Sequence, residues 1–99
     1  MSKAAWFFSY KIKKNVTKEE FIEITKKLHD NVISKVKGFI SWEHFQHDNL
    51  WTDYVLWETY DDAINAMKAG QGKDEAKYFY NCIQLYTCRT IVSEFVIKY

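Results

Sequence analysis

The chain has no proline, only three glycines and only two cysteines in 99 residues, and each scarcity excludes something. Without proline, no slow X-Pro isomerisation can limit folding. Cys82 and Cys88 are too few for a disulfide framework and lack Cys-x-x-Cys spacing. They read as free thiols that pack as small apolar side chains in a reduced, cytoplasmic protein. No apolar run approaches the roughly 20 residues that span a bilayer, so no membrane association is expected. Met1-Ser2-Lys3-Ala4-Ala5 leads straight into strand-like sequence, without the apolar stretch of a signal peptide. A formal net charge of +1 leaves no basic excess for nucleic acid. Phosphate loops, nucleophile elbows and zinc-finger spacings are also missing.

Aromatic side chains are what the chain has instead. They make up 18% of it, and so much ring surface has to be buried against something. A chain of this length forms one domain, residues 1–99, with a poor ratio of interior to surface. Surplus aromatics therefore favour a subunit interface or a ligand cavity.

The aromatics concentrate in residues 38–59, where two strand-like runs meet at His47-Asp48-Asn49, a polar break suited to a tight turn. This stretch predicts a long β-hairpin whose two faces are both apolar. Simple alternation sets Phe39 and Phe45 against Ile40 and Trp42, and sets Trp51, Val55 and Trp57 against Tyr54 and Leu56. A sheet with one wet face shows cleaner alternation. Both faces are thus expected to be covered, one by helices of this chain and the other by a second subunit.

A first strand is expected over Ala4 to Lys13, with Trp6, Phe8, Tyr10 and Ile12 toward the helices. Thr17-Lys18-Glu19-Glu20 has the form of a capping box, and Phe21, Ile24, Leu28 and Val32 follow at helical spacing. Gly38 is placed to supply a left-handed stop. A short second helix begins at Thr59-Tyr60-Asp61-Asp62, with Ala63, Ile64 and Met67 inward, and ends at Gly70-Gln71-Gly72. A third runs from about Lys73 and presents Ala76, Phe79, Tyr80 and Ile83. The last strand is expected over Thr87 to Tyr99. The order β-α-β-β-α-α-β predicts an α+β fold of ferredoxin-like type, with an antiparallel four-stranded sheet and all helices on one face. Pairing the bare sheet faces of two copies would form a dimeric α/β barrel, and a C2 homodimer is the commonest symmetric solution.

On Lys37-Gly38-Phe39, the paired aromatic strands, and Leu56-Trp57-Glu58-Thr59 leading into Tyr60-Asp61-Asp62-Ala63, the chain resembles the antibiotic biosynthesis monooxygenase (ABM) type of domain in the dimeric α/β-barrel superfamily. The resemblance covers nearly the whole chain. It implies that fold and a homodimer. It also implies a small apolar or aromatic ligand between sheet and helices, with cofactor-independent monooxygenation as one activity in the group. The alternative within the fold is a non-catalytic dimeric binding or stress-response module, since fold leaves function open. The haem-degrading branch carries Asn in the first strand, Trp in the second helix and His in the third. The corresponding positions here fall at or next to Ser9, near Ala66 and near Ala76. With no His for an axial ligand, that reaction is not expected, and no cofactor is assigned.

His44 and His47 lie three apart on one strand and so face opposite sides, which rules out joint chelation; no metal site is expected. Asp53 and His44 are the candidate catalytic bases. Trp6, Trp42, Trp51 and Trp57 are candidates to line a flat cavity or to serve as core, with Trp57 the strongest case for scaffold. Tyr10, Tyr78 and Tyr80 could offer hydroxyls to a phenolic or quinone ligand, or satisfy local backbone.

Overall fold

The computed structural model describes residues 2–99. The elements follow the expected order: β1 (Ala4–Lys11), α1 (Lys18–Asn31), β2 (Phe39–His47), β3 (Leu50–Trp57), α2 (Tyr60–Ala66), α3 (Asp74–Asn81) and β4 (Arg89–Glu94). Short 3-10 turns at Ile33–Lys35 and Leu85–Thr87 adjoin α1 and β4. The four strands form one antiparallel sheet in the order β2-β3-β1-β4.

Local chemistry explains the element boundaries. The Thr17 hydroxyl accepts from the Glu20 N–H at 3.1 Å, and the Glu20 carboxylate accepts from the Thr17 N–H at 3.3 Å, which completes the capping box. Thr59 likewise caps α2, accepting from the Asp62 N–H at 3.0 Å. The strand break at Asp48-Asn49 leaves His47 paired with Leu50, and Asp48 adopts a left-handed φ of 53°, which Asp tolerates better than most residues. Gly38 has φ 87° as expected. It does not terminate α1, however, which has already ended at Asn31; it lies in the turn after the Ile33–Lys35 3-10 segment and leads directly into β2.

The helix-covered face carries Tyr10, Trp51, Val55 and Trp57, all buried. Phe21 from α1 and Phe79 from α3 pack on it, with Phe21–Trp51 centroids 4.9 Å apart and Phe21–Phe79 centroids 5.6 Å apart. At the other end Trp6 and Trp57 stand 4.9 Å apart, and the Trp6 indole N–H donates to the Ala63 carbonyl at 2.7 Å. That bond draws α2 close to the sheet, so its inner stripe is Ala63 and Ala66 rather than Ala63, Ile64 and Met67. Ile64 and Met67 are largely exposed, because only small side chains fit so near an approaching backbone.

The hairpin faces also differ from simple alternation. Phe39 pairs with Trp57 but Ser41 pairs with Leu56, so Ile40 is an extra residue, a β-bulge. Past the bulge the parity reverses, which puts Phe39 and Trp42 on the same, helix-facing side. Phe45 lies on the opposite, open face and is 56% exposed. Trp42 and Trp51 therefore belong to the covered face. The open face carries Phe7, Phe45, Tyr54, Leu56 and Ile91, with Phe7 and Tyr54 stacked at 5.3 Å. β4 ends at Glu94, short of the Tyr99 expected, and residues 95–99 have no regular structure. Phe95, Val96, Ile97 and Tyr99 are exposed there. With no neighbouring strand to pair beyond Lys3, where the Phe95 N–H meets the Lys3 carbonyl at 2.8 Å, the ladder stops.

Candidate functional site

Between the sheet and the helices lies a cavity of about 540 Å³, within the usual range for small-molecule sites. Trp6 and Phe8 of β1, Trp42 of β2, and Asp53 and Val55 of β3 form its floor. Leu28, Ile33, Ala66, Ala76 and Phe79 supply apolar walls. Met67, the segment Gly70-Gln71-Gly72, Lys73, Asp74, Lys77 and Tyr80 surround its exposed mouth. The small side chains of Ala66 and Ala76 leave this space open rather than filling it.

Asp53 is the polar group on the floor, and its residue is only 1% exposed. Its position follows from strand register: counting back from the two-residue turn pairs His44 with Asp53, and β1 pairing brings Tyr10 alongside. His44 Nδ1 lies 2.6 Å from Asp53 Oδ1. The Tyr10 hydroxyl sits 2.9 and 3.0 Å from the two carboxylate oxygens and donates its one proton between them. A buried carboxylate requires such donors, and a protonated Nδ1 is the assignment that supplies the second. Burial, reinforced by the Asp53 charge, pushes the Tyr10 phenol far above its ordinary range, so Tyr10 stays a donor.

His44 is held edge-on by Trp42 and Trp51, with centroids at 5.2 and 5.3 Å. It does not line the large cavity. It opens instead on a shallow depression beside α1, with Ile22, Thr25, Lys26 and His29. The structure thus unites Tyr10, Asp53 and His44 in one hydrogen-bonded chain that starts in the core, touches the cavity floor and ends at the outer wall.

The other candidates separate. Trp6 and Trp42 line the cavity, whereas Trp51 and Trp57 are core. Trp57 is fully buried between Trp6 and Phe39 and makes scaffold. Tyr80 stands at the mouth, where burial raises its phenol. Tyr78 is 56% exposed and away from the cavity. Tyr10 offers its hydroxyl to Asp53 rather than to a ligand. Lys73, Lys77 and Phe79 also line the cavity, and the one sequence signal for the two lysines is their spacing of four at the start of a helix. Burial raises both cysteine thiols, which keeps them in the unreactive protonated form. Among the described residues no three His, Cys, Asp or Glu side chains gather as a cation site, and no helix is long and apolar enough to cross a membrane.

A β-α-β-β-α-α-β chain with this sheet order and a cavity between its two layers has the ferredoxin-like fold of the ABM domain proteins. No protein-family model matches the sequence, and no curated protein matches it either. Solved structures do match in fold. A protein from Bordetella bronchiseptica, described as a candidate antibiotic biosynthesis monooxygenase, superposes with TM-score 0.78 at 12% identity, covering 98% of this chain and 100% of that one. A similarly described protein from Nitrosomonas europaea gives TM-score 0.74 at 12% identity, over 96% of this chain and 91% of that one. SnoaB from Streptomyces nogalater, a cofactor-independent oxygenase, gives 0.69 at 11% identity, over 100% and 96%.

Proposed function

We propose that this protein is a cytoplasmic, homodimeric, cofactor-independent monooxygenase that takes a small apolar or aromatic molecule into the cavity between sheet and helices. The observation that carries this reading is a buried carboxylate, Asp53, on the floor of an otherwise apolar cavity and hydrogen-bonded to His44. The fold shared with SnoaB, itself a cofactor-independent oxygenase, supports it.

In such chemistry the substrate supplies the electrons. A methylene activated by neighbouring carbonyl or phenol groups gives its proton to Asp53, and its electron pair remains as a carbanion. The carbanion reduces dioxygen and combines with it to form a carbon–oxygen bond, giving a peroxide anion. That anion recovers the proton from Asp53 to become a hydroperoxide, which loses water to leave a ketone. One oxygen atom ends in the product and the other in water, so no outside reductant is required. The Asp53–His44 pair need only hold one proton and return it. The apolar walls exclude water and hold the reacting carbon in place.

A second reading, a non-catalytic binding or stress-response module, is favoured by the near-complete closure of Asp53 and by its satisfaction by Tyr10 and His44. Oxygen uptake with quinol-type and polyketide-type substrates separates the two. Uptake abolished by Asp53→Asn supports the enzyme. Ligand-induced stabilisation without uptake supports the binding module. Inactivity together with no ligand-induced melting shift removes both.

A further inference from the structure

We infer that the molecule bound in this cavity carries an acid group that docks on Lys73 and Lys77 at the mouth. The inference deepens the proposed ligand-binding reading and rests on it. The two ends of the cavity differ in charge. Its floor presents the Asp53 carboxylate, fixed by Tyr10 and His44 and almost sealed from water. In that setting a second anion would be repelled strongly, because low dielectric magnifies like-charge interactions. The mouth is the reverse: Lys73 and Lys77 face the cavity with Asp74 as the carboxylate between them. Lys73 immediately precedes α3 and Lys77 lies in its first turn, both lining the cavity, and neither forms an ion pair among the described residues. Lys73 is the N-cap of α3 and no side chain caps that end, so the positive pole of the helix adds to the lysine charge there.

Indole and phenyl surfaces from Trp6, Trp42 and Phe79 join the two ends. A complementary ligand is therefore an aromatic acid with a polarised shape. Its neutral end, bearing the acidic C–H or O–H, goes inward to Asp53, and its carboxylate stays outward at the lysines. The lysines then select orientation as well as affinity, because the reversed pose would set carboxylate against carboxylate.

The test compares a hydroxynaphthoic acid with its neutral methyl amide, each titrated against intrinsic tryptophan fluorescence, since Trp6 and Trp42 line the cavity. The acid is expected to bind about fivefold tighter at low salt, the scale of a partly exposed charge pair. That preference should shrink toward parity near 1 M salt, where the screening length is roughly 3 Å. The double variant Lys73→Gln/Lys77→Gln should bring the acid to the affinity of the amide and leave the amide unchanged. Lys68→Gln, outside the cavity lining, should alter neither. An amide that binds as tightly as the acid overturns the inference while the cavity reading stands, and so does a double variant that keeps the preference. If neither probe binds, the cavity reading falls and the inference goes with it.

Discussion

His44 Nδ1 and Asp53 Oδ1 meet at 2.6 Å across the β2–β3 pair, and that contact joins the outer wall of the protein to the floor of its cavity. The carboxylate is buried, so the contact matters for stability as well as for chemistry. Asp53→Asn places an amide N–H₂ or an amide oxygen where two donors now converge. It is expected to cost about 1–3 kcal/mol, the penalty for disturbing a buried, hydrogen-bonded charge. If the proposed reaction operates, oxygen uptake should fall by about 10²-fold or more, as befits loss of a positioned base. Thermal melts and oxygen-electrode rates on the same preparation separate the two effects. An active Asp53→Asn enzyme would exclude Asp53 as the base.

Tyr10 makes a pH prediction with a definite sign. Its folded-state pKa is raised by burial and by Asp53, while the unfolded phenol titrates near its ordinary value of 10.0. Above that pH the unfolded chain has lost a proton that the native chain keeps, so stability falls as pH rises. Its contribution is complete below pH about 10 and is lost progressively above it. Tyr10→Phe should remove this alkaline slope while costing about 1–3 kcal/mol at neutral pH, since Asp53 loses a donor. Urea unfolding of both proteins across the alkaline range measures it. Equal slopes would show that other groups, such as Tyr80, dominate.

Gly38 is required twice over. It has φ 87°, and a Cβ there would lie 2.6 Å from the Asp62 Cβ, in a site where Asp62 is itself buried. Its carbonyl also accepts from the Glu58 N–H at 2.8 Å, tying the entry of β2 to the exit of β3. The left-handed conformation alone should make Gly38→Ala cost about 1–2 kcal/mol, and the collision with Asp62 adds to this. A fall in Tm of at least roughly 4–8 °C is expected for a domain of this size. A melt unchanged from the parent would mean that the turn relaxes freely.

The parts of this fold legible in the sequence are those set by neighbours along the chain. The Thr17 capping box, the Gly38 turn and the Ala76–Phe79 stripe of α3 each rest on residues within one or two turns of each other. The His44–Asp53 pairing was within reach as well, because a two-residue turn at Asp48-Asn49 dictates it by counting. The bulge at Ile40 was not. One extra residue reverses every later side chain on the strand, and no glycine or other residue of β2 marks the place. Tyr10 reaches Asp53 through β1–β3 register across 43 positions, which no local pattern encodes. A cavity between sheet and helices was expected, but its lining escaped for the same reason. It exists because α3 stands where Lys73, Lys77 and Phe79 can face Trp6 and Trp42.

The open face of the sheet carries the last prediction. Phe7, Phe45 and Ile91 are 43%, 56% and 62% exposed there, beside Tyr54 and Leu56. Ile91 pairs with Phe7 and Phe7 stacks on Tyr54, so these side chains form a continuous patch rather than scattered points. Contiguous apolar patches of this kind mark interaction sites, and face-to-face packing of two such sheets would cover both copies equally, as a C2 dimer requires. Trp42 and Trp51 lie on the helix side, so changes there should affect the cavity and core rather than association. Phe45→Glu and Ile91→Lys are each expected to weaken self-association by about tenfold or more, because each buries a charge in an apolar interface. Both positions are already exposed within one copy, so the fold of the single chain should persist in far-ultraviolet circular dichroism. Sedimentation velocity over a concentration series reads the equilibrium directly. A parent protein that sediments as a monomer throughout would mean that this face is covered by something other than a second copy.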